Sequence, residues 1–93
     1  MKKVVIIHHN DADGRMAGYV MYRHYSKNKG IDDASIGMIE TDYGLDISFD
    51  QIGNETEVTI VDFSLNNRQM TELLNKDPKN IIWLDHHRTA FNI

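Results

Sequence analysis

The stretch Val4-Val5-Ile6-Ile7-His8-His9-Asn10-Asp11-Ala12-Asp13-Gly14 passes in one step from an apolar, β-branched run to a cluster of imidazole and carboxylate side chains. Residues 2–8 show no polar alternation, which is the pattern of a strand buried on both faces, as in a parallel sheet. Downstream, Met16, Ala17, Val20, Met21, His24 and Tyr25 recur at three- and four-residue intervals and predict a helix over residues 14–29. Asp13 can cap its start and Gly30 follows its end. A second strand is expected over residues 34–40. Residues 43–53 are the least patterned stretch, with a short helical turn at Asp50-Gln51-Ile52. Glu57–Val61 then turns apolar up to Asp62, residues 66–75 form a second helix (Met70, Leu73 and Leu74 apolar) stopped near Pro78, and Asn80–Leu84 is a fourth strand ending in Asp85.

Strands alternating with helices on short connections define an α/β domain with a mostly parallel sheet flanked by helices. In open sheets of this kind ligands bind beyond the carboxyl ends of the strands. Here those ends carry His9, Asp11 and Asp13, then Asp62, then Asp85, His86 and His87. Three strand ends deliver polar groups to one edge, and that convergence outweighs any single motif. Imidazole and carboxylate are ligands that divalent transition metals favour.

In His9-x-Asp11-x-Asp13-Gly14 alternate positions leave an extended chain on the same side, so all three ligand-type groups could face one metal pair. Gly14 would allow close backbone approach, and the N-terminus of the following helix is a natural site for a phosphate. A solvated turn capping the helix is the plain alternative for an isolated Asp-x-Asp-Gly. Asp62 alone would be a strand-end cap for the helix near Asn66; on the shared edge it reads as a bridging carboxylate between two cations. Adjacent histidines cannot both face one point from a strand, so one of His86 and His87 is assigned to metal and the other to substrate, with Asp85 orienting a ring. His8 points away from His9 and is read as a buried structural residue, and His24 as core. Arg88 could meet phosphate oxygens bidentately. Tyr43, Trp83 and Phe91 are read as core or rim, and Asp32, Asp33, Asp46, Asp50, Glu55 and Glu57 as solvated loop charges.

Composition narrows the class. The 93 residues suit one domain. The chain has no cysteine, which excludes disulfides and thiolate metal sites and fits a cytoplasmic protein. The apolar run after Met1-Lys2-Lys3 is too short for an export or membrane segment. A net charge of −4 argues against a surface built to coat nucleic acid but not against a nucleotide substrate, because bound cations reverse the sign of an anionic site. No Ser-His-Asp arrangement is evident, which leaves a metal-activated water as the nucleophile.

The three clusters resemble the motifs of the DHH phosphoesterases, a family that includes RecJ-type exonucleases, oligoribonucleases, cyclic-dinucleotide phosphodiesterases and family II pyrophosphatases. His9-Asn10-Asp11-Ala12-Asp13-Gly14 resembles the first motif, Ile60-Val61-Asp62-Phe63-Ser64 the second, and Asp85-His86-His87 the third. The resemblance implies that His9, Asp11, Asp13, Asp62 and His86 hold two divalent cations, most often Mn²⁺ (Mg²⁺, Co²⁺ and Zn²⁺ being alternatives), and that His87 contacts the phosphate. It implies hydrolysis of a phosphodiester, in an oligonucleotide or nucleotide, by water activated between the metals; the Asp-Gly ending of the first motif leans toward the RecJ and oligonucleotide branch rather than the pyrophosphatases. The family's fourth motif, another aspartate, and its second, substrate-binding domain have no counterpart in these 93 residues. The expectation is therefore a partial DHH domain of low activity by itself: a fragment missing its C-terminal lobe, a naturally truncated chain, or one that assembles its site with a partner such as a second copy. The rival reading is a non-catalytic module that binds metal or a phosphorylated ligand.

Overall fold

A computed structural model describes residues 1–84 of the chain. Its elements are β1 (Val4–His9), α1 (Ala12–Arg23), β2 (Ile36–Thr41), β3 (Glu57–Val61), α2 (Asn67–Asn75) and β4 (Asn80–Leu84). The four strands form one sheet in the order β2-β1-β3-β4, and every pairing is parallel. This is the α/β architecture expected, with the strand boundaries shifted by one or two residues at β1 and β2.

Each face of the sheet is covered differently. Val4 and Ile6 point to the side of α1, where they pack with Ala17, Tyr25, Ile36 and Val61. Val5 and Ile7 point to the other side and join Val58, Ile60, Phe63 and Leu73. The same core takes Ile47, Phe49 and Ile52 from the segment between β2 and β3, so irregular chain covers this face where a helix might stand. Asp50-Gln51-Ile52 closes only a hydrogen-bonded turn, Ile52 N–H to Phe49 O at 3.0 Å, and no helix.

The helical stripe differs from the one the apolar spacing suggests. Met16 and Val20 face outward, 64% and 56% exposed, while Gly14, Ala17 and Gly18 are buried. The cause is the closeness of α1 to β1. A Cβ on Gly14 would lie 2.2 Å from the His9 carbonyl oxygen, and one on Gly18 would lie 2.8 Å from the ring of His8. Backbone proximity, rather than side-chain bulk, seats this helix. It continues as one π-helical turn at His24–Asn28, and Gly30 takes φ +67° to end it. The cap of α1 is Asp11 and not Asp13: its carboxylate accepts from Gly14 N–H at 2.7 Å. Asn66 and Gln69 form a reciprocal capping box at α2, so Asp62 has no capping role there.

Tyr25 is buried, and its hydroxyl donates to the Glu57 carboxylate and pairs with Thr59 Oγ1 at 2.7 Å. Burial, reinforced by Glu57, pushes the Tyr25 hydroxyl up to about 12. Glu57 is therefore a structural acceptor, where the sequence suggests a solvated charge. Among the described residues no helix is long and apolar enough to cross a membrane.

Candidate metal centre

The chain leaves β1 toward β2 on one side and leaves β3 toward β4 on the other. The carboxyl ends of β1 and β3 therefore flank the point where the winding direction changes, the place where open α/β sheets open a crevice. His9 ends β1, Asp11 follows two residues later, and Asp62 directly follows β3. One ligand atom from each of His9, Asp11 and Asp62 lies within 4.8 Å of the others.

Local geometry explains how each is placed. His8 and His9 fall on opposite faces of β1, as the strand period requires. His8 is buried against Gly18 of α1, with Nδ1 3.0 Å from the His9 carbonyl oxygen. That is the structural role expected for it. His9 emerges at the carboxyl edge, its ring 6.0 Å from Phe63 and 5.5 Å from Tyr43 between centroids. Asp11 is fixed by its capping bond to Gly14, and its other oxygen lies 2.8 Å from His9 Nδ1.

Asp62 adopts φ +52°, in the left-handed region that costs a non-glycine residue energy. Its N–H still bonds Leu84 O at 3.1 Å, so the ladder with β4 runs one step past β3 before the chain turns away. Strain of this kind tends to persist where a side chain must be aimed.

The three residues share a cleft of about 230 Å³ with Asp13, Tyr43, Phe63 and Ser64. That is below the roughly 300 Å³ at which pockets enclose whole small ligands. Asp13 lines the cleft, but the three-residue ligand group does not include it. Tyr43, expected as core or rim, is a rim residue: its ring stacks on Phe63 at 4.7 Å and is 62% exposed. Asp85, His86, His87, Arg88 and Phe91 lie outside the described residues.

One participant was not read from the sequence. Asp42, directly after β2, places Oδ1 2.7 Å from His9 Nε2. His9 thus sits between two carboxylates, and its pKa is raised above the ordinary imidazole value, first by the bond to Asp42 and then by Asp11. Asp11 is held below the usual carboxylate range chiefly by the Gly14 N–H, and Asp42 chiefly by His9. The signal that could have found Asp42 is an acidic residue just beyond the expected second strand, two residues past its end, on the same carboxyl edge.

The donor set fits a divalent cation of the first transition series. It combines an imidazole with two carboxylates, carries no thiolate, and gathers its ligand atoms closely. Residues 3–93 match the profile described as DHH family, N-terminal domain, and the chain belongs to that family. It is a family of phosphoesterases, metal-dependent in general. No curated protein and no solved structure matches the chain.

Proposed function

We propose that this chain is the metal-binding part of a phosphohydrolase that cleaves a phosphodiester in a nucleotide or short oligonucleotide. The observation that carries the reading is the gathering of His9, Asp11 and Asp62 at the switch point of the sheet. These three would hold one divalent cation, and Asp13 and His86 would serve a second, with Asp62 shared. Mn²⁺ is the cation proposed. Bound cations in such a site supply activation of a water and neutralise charge growing on the phosphoryl oxygens.

The chain's own groups do the positioning. Asp11 is locked by the helix cap, so the carboxylate is preset rather than recruited. Phe63 and Tyr43, stacked on each other, pack on the same side of the His9 ring. His87 would meet the phosphate, Asp85 would orient a neighbouring ring, and Arg88 would grip a phosphate oxygen pair. The exposed ring of Tyr43 supports a nucleotide over inorganic pyrophosphate, because a base can stack on an aromatic face and pyrophosphate offers nothing to stack.

Hydrolysis assays with Mn²⁺ on p-nitrophenyl thymidine monophosphate, a short oligoribonucleotide and pyrophosphate test this. Turnover of the nucleotide substrates that Asp62→Ala abolishes is the expected result. Turnover of pyrophosphate alone would reassign the substrate. Cation binding with no turnover of any of the three would make the chain a non-catalytic module.

A further inference from the structure

We propose that Asp42 is a positioning residue of the metal centre, holding Nε2 of His9 so that Nδ1 is the nitrogen presented to the cation. The inference rests on the metal reading given above and adds a residue and an orientation to it.

Strand register brings Asp42 to His9. β1 and β2 pair in parallel with His9 opposite Thr41, and Asn10 N–H donates to Thr41 O at 2.9 Å. Pairing thus continues past the end of β1, and the next residue of the neighbouring chain, Asp42, falls beside the His9 ring. Asp42 is itself held, because Oδ1 accepts the Tyr43 N–H at 2.7 Å as well as facing His9 Nε2 at 2.7 Å.

The two ring nitrogens therefore meet different surroundings. Nδ1 faces Asp11, a member of the three-residue ligand group. Nε2 faces Asp42, which is outside that group. A neutral imidazole has one N–H and one lone pair, and a metal takes the lone pair. If Asp42 keeps the N–H on Nε2, Nδ1 has no proton to give Asp11 Oδ2, and the two lone pairs, 2.8 Å apart, would both face a cation held between them. A carboxylate on the far nitrogen of a metal-binding histidine commonly fixes its tautomer and strengthens it as a donor. Turning the ring over would exchange the two nitrogens, but Phe63 lies against one face at a 29° tilt and Tyr43 crowds the ring at 50°.

A plainer role is open to Asp42, since its carboxylate also bonds the backbone of the turn that follows β2. Stability measurements alone would not separate the two, so the test reads the imidazole itself. Long-range ¹H–¹⁵N NMR of the metal-free, ¹⁵N-labelled chain, above the titration range of His9, should show the Nε2–H tautomer. Adding Zn²⁺ as a diamagnetic probe should then shift Nδ1 and leave Nε2–H protonated. Asp42→Ala should mix the tautomers and weaken Mn²⁺ binding in calorimetry by about 10- to 100-fold. Asp42→Asn still offers an oxygen to the N–H, so it should keep the tautomer and recover most of the affinity.

Metallation at Nε2 would overturn the proposal, as would an Asp42→Ala affinity within twofold of wild type. Equal losses in the Ala and Asn variants, both folded by their amide spectra, would identify Asp42 as a direct ligand and also overturn it. A wild-type chain that takes up no cation would instead sink the metal reading on which the proposal stands, and that outcome is seen without any variant.

Discussion

A methyl group on Gly14 would stand 2.2 Å from the carbonyl oxygen of His9, closer than any real contact. The first turn of α1 and the last residue of β1 are therefore packed backbone to backbone. This contact sets the distance between the Asp11 cap and the His9 ring. The obstacle is main chain, so no rotamer change relieves it. Gly14→Ala should destabilise the fold by about 1–3 kcal/mol, the usual range for overpacking, measured by urea denaturation. Gly18→Ala meets first the side chain of His8, and it should recover part of its loss when combined with His8→Ala; Gly14→Ala should not.

Asp62 sets aim against stability. Its φ of +52° favours glycine, and its carboxylate has no hydrogen-bond partner among the described residues. Asp62→Gly should leave stability unchanged or raise it by up to about 1 kcal/mol, while removing the carboxylate proposed to bind a cation. Asp62→Ala loses the same carboxylate and keeps the backbone cost. Thermal melts of the two variants should therefore rank Gly above Ala, with both impaired in Mn²⁺ binding. The opposite ranking would show that the backbone at this position is not strained.

Tyr25 makes a pH-dependent contribution. Its folded pKa, about 12, lies above the ordinary value of 10.0, so the folded state holds this proton more tightly than the unfolded chain. The contribution is then complete below about pH 10 and is lost as pH rises toward 12. Tyr25→Phe removes the bonds to Glu57 and Thr59 and should cost about 1–2 kcal/mol at pH 8. The gap between wild type and variant, read from denaturation midpoints, should narrow steadily above pH 10. A gap that stays constant to pH 11.5 would contradict this.

Helix α2 depends on its cap. Asn66 accepts from Gln69 N–H at 2.8 Å, and the Gln69 side chain answers at 3.0 Å while also reaching Leu45 O. Asn66→Ala should cost about 1 kcal/mol. Gln69→Ala should cost more, because Gln69 is buried and also ties down the segment that covers the sheet. Denaturation midpoints of the two variants check the order.

Much of this fold was legible because its strands are short apolar runs that end in acid or histidine. β3 and β4 fall where the pattern places them, and the opposite facing of His8 and His9 follows from a period of two. The phase of α1 was not legible. Spacing rules count Met16 and Val20 as core, but a helix that touches a strand backbone buries glycines, which carry no hydrophobic signal. The covering of the second face by Ile47, Phe49 and Ile52 was hidden for a related reason: irregular chain has no period to detect. In the site, the approach of His9, Asp11 and Asp62 could be expected from strand ends. Asp42 could not be assigned to His9 without the register of β1 on β2. The candidates Asp85, His86, His87 and Arg88 lie beyond the described residues and rest on the family motif.

The most direct test of the central claim is calorimetric titration of the chain with Mn²⁺, beside Asp62→Ala and Asp11→Asn. Saturable binding by the wild type, weakened at least about tenfold in each variant, is the predicted result. Wild-type protein that shows no saturable binding, or variants that bind as wild type does, would contradict a metal centre built from His9, Asp11 and Asp62.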